Sequence, residues 1–189
     1  MKIEFSLTEK QDLLRSARGS IRNHLNLSED TSGIIEKGNL SLERGAFVTL
    51  HKEGNLRGCI GYITPQGKLL SSVRKLAVEA AFRDPRFPPL SKDELSGTDI
   101  EISILTLPER VVSPYDINLG EDGVIIKKGF RQGVYLPQVA EETGWNLEEF
   151  LESLAVTKAG LPENAWRDSS TELYVFQAVV FGEKEMGMI

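Results

Sequence analysis

The stretch "AFVTLHKEGNLRGCIGYI", residues 46–63, predicts an antiparallel hairpin and decides which faces of the fold are buried. Apolar or β-branched residues alternate with polar ones on both sides of Glu53-Gly54-Asn55, which we interpret as a loop of roughly three residues. The register that this loop predicts pairs Lys52 with Leu56, His51 with Arg57, Leu50 with Gly58, Thr49 with Cys59 and Val48 with Ile60. Since side chains alternate along a strand, this register assigns each residue of the hairpin to one of two faces.

One predicted face is apolar, and the other carries polar side chains. The residues expected to enter a core are Val48, Leu50, Ile60 and Tyr62. The residues expected on the opposite face are Thr49, His51, Arg57, Cys59 and Gly61. Diagonal neighbours across two strands lie about 7–8 Å apart, so His51 can approach the thiol of Cys59. Positive neighbours favour the thiolate, which is the nucleophilic form of cysteine, and the pattern therefore indicates a reactive thiol.

The same residues also have a purely structural interpretation. Free cysteine is among the most buried residue types, and glycine within a strand often marks a bulge or tight packing against a helix. Gly58 and Gly61 would then serve packing, and Cys59 would be an inert core residue. The residues alone leave both interpretations open, together with a non-catalytic binding face.

The remaining apolar patterns predict helices mixed with antiparallel strands. Helices are expected in residues 6–25, where Thr8 and Gln11 have capping-box spacing, and in residues 68–82. A short helix is expected in residues 136–145, ended by Gly144, and another in residues 147–161, preceded by Asn146 and Glu149 in cap spacing. Strands are expected in residues 98–108, in a hairpin over residues 123–136 that turns between Gly129 and Gly133, and in one central strand over residues 172–181. Because the order is irregular and lacks a βαβ repeat, we predict an α+β fold with a mostly antiparallel sheet and packed helices.

Composition excludes several classes of protein. The 189 residues form one large domain or two small lobes, and the net charge of -6 argues against broad binding of nucleic acid. One cysteine and two histidines allow neither an internal disulfide nor a cysteine-rich zinc site, and no nucleotide-binding glycine motif is present, so no cofactor and no metal are predicted. With no apolar run of membrane-spanning length and no secretory signal pattern, the expected location is the cytoplasm.

Five ordered segments of the chain resemble the AMMECR-type domain family. They are "LRGCIG" (56–61), "AFRDPRFPPL" (81–90), "EISILTLPERV" (101–111), "GVYLPQVAEETGW" (133–145) and "FLESLAVTKAGL" (150–161). The resemblance implies a single domain over residues 1–189 with an α+β fold, in which two unequal lobes flank a cleft and the hexapeptide lies at or near that cleft. Microbial members look like component A of a set with a Memo-type protein and a radical S-adenosylmethionine (SAM) enzyme, so these two are the expected partners, with a small molecule or peptide in the cleft.

The resemblance also implies a functional surface. Its expected catalytic residues are Cys59 and Arg57. Its expected ligand-binding residues are Gly58, Ile60, Gly61, Asp84, Arg86, Phe87, Pro88, Glu101, Ser103, Gln132, Tyr135, Gln138 and Lys158. Each has a structural alternative; Asp84 and Arg86 would fix the turn after a helix, for example, and Lys158 would complement the carbonyl end of its helix.

Two classes of function are therefore predicted. The first is an enzyme or accessory subunit that acts on a small molecule, with Cys59 activated by Arg57 in the cleft. The alternative is a non-catalytic binding or scaffold module for a partner protein, peptide or metabolite. Nucleic-acid binding is the least favoured function, because single-stranded binding surfaces normally need a basic groove.

Overall fold

Two antiparallel sheets and five α-helices make up residues 4–189, the part of the chain that the computed structural model describes. The helices are α1 (Leu7–His24), α2 (Leu69–Phe82), α3 (Lys92–Leu95), α4 (Gln138–Thr143) and α5 (Leu147–Ser153). The strands are β1 (Ala46–Lys52), β2 (Asn55–Tyr62), β3 (Thr98–Leu105), β4 (Glu109–Val111), β5 (Gly123–Lys128), β6 (Arg131–Tyr135), β7 (Glu172–Phe176) and β8 (Ala178–Gly182). The predicted α+β class with antiparallel sheets is confirmed.

The chain divides into two compact units. The first unit contains the residues up to Leu105 together with Val179–Ile189, and the second unit is Thr106–Ala178. Within residues 4–189, no helix combines the length and the hydropathy that a membrane crossing requires.

In the first unit, helices cover one face of a sheet with strand order β2-β1-β3-β8. Val48, Leu50 and Ile102 project from that face and are fully buried, in one core with Leu14 of α1 and Leu76 of α2. The alternation predicted for β3 is therefore confirmed. We call the opposite face the outer face; its partly exposed side chains include Phe47, Thr49, Cys59, Glu101 and Ser103.

The register of the β1–β2 hairpin agrees with the prediction beyond the turn and differs next to it. The pairs Leu50–Gly58, Thr49–Cys59 and Val48–Ile60 are confirmed, but His51 faces Leu56 and Lys52 faces Asn55. The predicted turn is wrong because Glu53 and Gly54 alone form it, with φ of 52° and 80°. Two consecutive positive φ angles are the signature of a tight two-residue hairpin turn. A bulge between Leu50 and His51 absorbs the difference and leaves Arg57 as the unpaired extra residue.

Helix caps follow local sequence with one correction. Ser6, rather than Thr8, caps α1, in a capping box with Glu9. The predicted Asn146–Glu149 capping box of α5 is confirmed. The correction arises because Ser6 and Thr8 both precede acceptable helical residues, and only the backbone shows which hydroxyl meets the first free N–H groups.

In the second unit, the sheet has the strand order β4-β7-β5-β6, and its core includes Phe150 and Leu151 of α5. The predicted hairpin over residues 123–136 forms, but its turn is Gly129-Phe130 and Gly133 lies within β6. The single strand predicted over residues 172–181 is wrong: it is two strands, β7 inside the second sheet and β8 at the edge of the first. The break is at Gln177, whose side-chain amide donates to Asp122 at 3.2 Å.

Candidate functional site

The backbone of Cys59 lies at an edge of the first sheet, where two side chains from the segment after α2 bind it. The N–H of Cys59 donates to Oδ2 of Asp84 at 2.9 Å, and the carbonyl oxygen of Cys59 accepts from Nη2 of Arg86 at 3.2 Å. In the strand order β2-β1-β3-β8, β2 is one of the two edge strands. Asp84 and Arg86 therefore take the place of a further strand and close the sheet edge beside the thiol.

Asp84 and Arg86 also bind each other. Oδ1 of Asp84 accepts from the backbone N–H of Arg86 at 3.1 Å and from its Nε at 2.9 Å, while Oδ2 accepts from Nη2 at 2.7 Å. The Asp84 side chain is only 2% exposed, and the Arg86 guanidinium holds the pKa of Asp84 well below its usual range despite that burial. The pKa of Arg86 is raised, chiefly by the hydrogen bond to Asp84 and to a smaller extent by Cys59. The positive charge next to Cys59 is therefore that of Arg86.

Gly58 and Gly61 are positions of close packing on the two faces of β2. A Cβ atom at Gly58 would lie 2.2 Å from the carbonyl oxygen of Ala80 in α2, and one at Gly61 would lie 2.2 Å from the ring of Phe47 on the outer face. Ile60, between them, packs against the core of the first unit. Because interiors are close-packed, only glycine fits at these two positions without movement of its neighbours.

Arg57 binds the segment that follows α2, not the thiol. Its guanidinium, 10% exposed, donates to both carboxylate oxygens of Glu94, at 3.3 and 3.1 Å, and to the carbonyl oxygen of Pro88 at 2.9 Å. Together with backbone bonds, the Arg57 hydrogen bond lowers the pKa of Glu94 to about 2. The predicted activation of Cys59 by Arg57 is therefore not supported by the geometry, since the bulge places this side chain among other partners.

Phe87 lies beside both arginines. The guanidinium carbon of Arg57 is 5.9 Å from the centre of the Phe87 ring, and that of Arg86 is 5.5 Å from it. Both distances are in the range of cation–π attraction. The segment Asp84–Pro88 thus contacts β2 through three hydrogen bonds, made by Asp84, Arg86 and Pro88, and through the ring of Phe87.

On the outer face, the thiol stands in a row with a hydroxyl and a carboxylate. Cys59 pairs with Thr49, and Thr49 pairs with Glu101 on its other side. Directly opposite residues have Cβ atoms about 4.5–5.5 Å apart. Oγ1 of Thr49 donates to Sγ of Cys59 at 3.3 Å, and Cys59 is partly exposed. The neighbouring row consists of Gly61, Phe47 and Ser103.

His51 lies apart from this arrangement. It faces Leu56 and Asp99 across the sheet and lines a cavity of about 420 Å³ with Asp99 and Lys184. Within the described residues, no hydrogen bond joins His51 to Cys59. The predicted approach of His51 to the thiol therefore has no contact to support it.

The other predicted site residues belong to the second unit: Gln132 and Tyr135 in β6, Gln138 in α4, and Lys158 beyond α5. The hydroxyl of Tyr135 is 3.0 Å from Oγ of Ser153 and 2.8 Å from Oγ1 of Thr157, and Nζ of Lys158 lies 5.6 Å from the centre of the Tyr135 ring. Tyr135 is buried, whereas Gln132, Gln138 and Lys158 are exposed. The structure thus brings Tyr135 and Lys158 together and divides the predicted residues between the two units.

Sequence reasoning misses two residues of this arrangement. Thr49 is the hydrogen-bond partner of the thiol, and its predicted position opposite Cys59 was the available signal. Glu94 is the partner of Arg57; the spacing of Ser91 and Glu94 indicates a helix cap, which forms, but not the tertiary ion pair. In residues 4–189 no cluster of three or more His, Cys, Asp or Glu side chains is placed to hold a metal ion.

Comparisons with known proteins give a family but no named reaction. The family model described as AMMECR1 matches residues 14–181. A protein of Methanothermobacter thermautotrophicus is 43% identical, over 94% of this chain and 96% of its own length, and one of Methanopyrus kandleri is 40% identical, over 96% and 92%. The crystal structure of an uncharacterized protein from Pyrococcus horikoshii has a TM-score of 0.76 and 39% identity, and the match covers 91% of this chain and 90% of that one.

Proposed function

The chain belongs to the AMMECR1 family, as the sequence resemblance predicted, and from this premise we propose that it acts on a small molecule through the thiol of Cys59, as an enzyme or an accessory subunit. One observation carries the proposal. The partly exposed thiol accepts a hydrogen bond from Thr49 while the guanidinium of Arg86 is held beside the same residue by Asp84.

The roles follow from the charges around the sulfur. Cys59 loses its proton to water, because the thiolate is the nucleophilic form. The thiolate then forms a C–S bond with a carbonyl carbon of the ligand, while the π electrons of the C=O bond move to the oxygen, which takes a proton from water. The Thr49 hydroxyl and the Arg86 guanidinium stabilise the negative sulfur, and both are positioning residues. Asp84 holds Arg86, and Glu101 presents a carboxylate on the same face for a polar group of the ligand. In this proposal the ligand binds on the outer face of the first unit.

The proposal is tested by the alkylation rate of Cys59 at neutral pH with chloroacetamide, followed by intact mass. Thr49→Val removes the hydroxyl at nearly constant volume and should slow alkylation about fivefold, the rate equivalent of about 1 kcal/mol for one hydrogen bond. Arg86→Gln should slow it further, because a charge is removed. Arg83→Gln is the matched control, since Arg83 is 67% exposed and pairs with Glu79; it should change the rate less than about twofold. Equal rates in all three variants would contradict the proposal.

A second candidate function, a non-catalytic binding or scaffold module, is favoured by a different observation. Gly58, Arg57 and Asp84 each have a structural contact that explains their presence without chemistry. In that case Cys59→Ser, which keeps size and hydrogen bonding, should leave the cellular role of the protein intact. Loss of that role in Cys59→Ser, with an unchanged unfolding midpoint, would favour the enzyme.

The Memo-type protein and the radical SAM enzyme remain proposed partners, on the family resemblance alone. Co-purification of tagged protein with these two proteins tests the proposal, and recovery of neither under native conditions would contradict it. We also propose a cytoplasmic location, because the cytosol keeps free thiols such as that of Cys59 reduced.

A further inference from the structure

The second unit contains a cavity of about 880 Å³ that the proposed function does not use. Two chain segments line it, residues 110–115 from β4 onward and residues 166–173 leading into β7. Its volume is within the range of small-molecule sites, roughly 300–1,000 Å³. All of its lining residues belong to the second unit, so a ligand here would bind independently of Cys59.

The floor of the cavity is apolar. Val111 and Leu173 pair across β4 and β7 and pack with the core of the second unit, and Trp166 beside them is 4% exposed. At the mouth, Val112 is 99% exposed and Tyr115 is 68% exposed. A ligand that reaches from this mouth to this floor therefore meets apolar and aromatic surface along its length.

The charged groups of the lining favour an anion. Arg110 and Arg167 line the cavity, with side chains 60% and 48% exposed. The only carboxylate of the lining, Asp168, is bound at 2.6 Å by Nζ of Lys128. Because Lys128 pairs with Asp168, the two arginines are the charged groups of the lining that remain for a ligand, and their own carboxylate partners lie outside the lining.

The arginines are held loosely enough to change partners. Nη1 of Arg110 lies 3.8 Å from Glu172, and Nη2 of Arg167 lies 3.1 Å from the half-exposed carboxylate of Glu148. Exposed ion pairs of this kind contribute little to stability, so a ligand anion can replace them at low cost. The guanidinium of Arg167 also lies 4.1 Å from the centre of the Trp166 ring, which orients it along an aromatic surface.

Trp166 adds an unpaired donor. Its indole N–H is buried and has no acceptor among residues 4–189. Buried donors of native proteins normally have partners, so this N–H is free to donate to a water or to a ligand atom. We propose that this cavity binds a small anionic molecule in which a carboxylate or phosphate is attached to a flat aromatic body. The anion binds Arg110 and Arg167, and the aromatic body lies against Tyr115 and Val112, which are exposed at the mouth.

The test compares two fluorescent probes of similar shape, the anion anilinonaphthalene sulfonate and the neutral phenylnaphthylamine. The anionic probe should bind at one site, and Arg167→Gln and Arg110→Gln should each weaken its binding by about tenfold. Binding of the neutral probe should change less than about twofold in the same variants. Arg15→Gln, an equal change of charge at a 58% exposed residue of the first unit, is the control and should leave both probes unaffected.

Several outcomes would overturn the proposal. The first is a loss of anionic-probe binding in Arg15→Gln as large as that in the cavity variants. The second is a loss of neutral-probe binding in the cavity variants as large as that of the anionic probe, and the third is no loss of anionic-probe binding in either cavity variant. Far-UV circular dichroism establishes that the variants are folded, and two separate arginines keep the test valid if one variant is not. Displacement of the anionic probe by adenosine monophosphate alone assigns a nucleotide, and displacement by benzoate alone assigns an aryl carboxylate. Displacement by neither also overturns the proposal. Alkylation of Cys59 should be the same in all variants, which keeps this site distinct from the proposed function.

Discussion

Asp84→Asn tests whether the buried carboxylate holds the edge of the first sheet. The aspartate accepts four hydrogen bonds, one from the N–H of Cys59 and three from Arg86. Asparagine has nearly the same size but only one acceptor oxygen. If that oxygen keeps the backbone N–H of Arg86, the new NH₂ group points at the N–H of Cys59, and two donors then face each other.

The expected loss of stability is about 3 kcal/mol. An unsatisfied buried donor costs about 1–3 kcal/mol, and the N–H of Cys59 would become one. The lost charge-assisted bonds to Arg86 add about 1 kcal/mol, discounted because the Arg86 side chain is 54% exposed and screened by solvent. With a urea dependence of about 2 kcal/mol per molar, the unfolding midpoint should fall by about 1.5 M.

The assay must follow the first unit specifically. Both tryptophans, Trp145 and Trp166, lie in the second unit, so fluorescence reports on that unit alone. Far-UV circular dichroism follows both units, so a change in the dichroism transition that tryptophan fluorescence does not show reports on the first unit. Asp12→Asn is the matched control, because Asp12 meets Arg15 at 3.7 Å on the surface and should contribute less than about 0.5 kcal/mol.

The stabilisation that Asp84 provides should depend on pH. The folded pKa of Asp84 is depressed, so the unfolded state binds more protons in acid and stability rises with pH. The contribution of Asp84 is complete above its unfolded pKa of about 3.9 and is lost as the pH falls toward the folded value. The difference between wild type and Asp84→Asn should therefore be constant at neutral pH and shrink below about pH 4. A midpoint equal to that of Asp12→Asn, or a difference that does not shrink in acid, would refute the reasoning.

Two further predictions concern β2 and the residues that contact it. Gly58→Ala would place a methyl group 2.2 Å from the carbonyl oxygen of Ala80 and should lower the free energy of unfolding in urea by about 2 kcal/mol. In the control Gly33→Ala, the new methyl group meets nothing within 4 Å, and the change should be neutral or slightly stabilising. Similar unfolding midpoints for the two variants would contradict the packing argument. Glu94→Gln breaks the ion pair with Arg57. Because the pKa of Glu94 is about 2, the stabilisation that the pair gives the wild type should be lost as the pH falls from about 4.5 toward that value, and the variant should show no such loss. Matching profiles of stability against pH would count against the pair.

Much of the fold could be predicted where its pattern is local. Alternating side chains in β1 and β3 and the cap of α5 depend on neighbouring residues, and these features form as expected. The hairpin turn could not be predicted, because Glu53 adopts a positive φ that a non-glycine residue rarely takes. That single residue shortens the turn, creates the bulge, and moves Arg57 away from the thiol.

The candidate site was harder to predict than the sheet, since its contacts join distant parts of the chain. Asp84 binds Cys59 across 25 positions, and Arg57 binds Glu94 across 37. The motif residues were found, but their partners depend on where the segment after α2 returns to the sheet. For the same reason the assignment of the cation beside the thiol changed from Arg57 to Arg86.

The central claim is that the thiol of Cys59 is available on the outer face of the folded protein. The most direct test is the alkylation rate of Cys59 across urea concentrations below the unfolding transition. We predict a rate that is independent of urea and comparable to that of glutathione, because the thiol reacts from the native state. A rate whose logarithm rises linearly with urea, with the slope of global unfolding, would contradict it, because the thiol would then react only after the first unit opens.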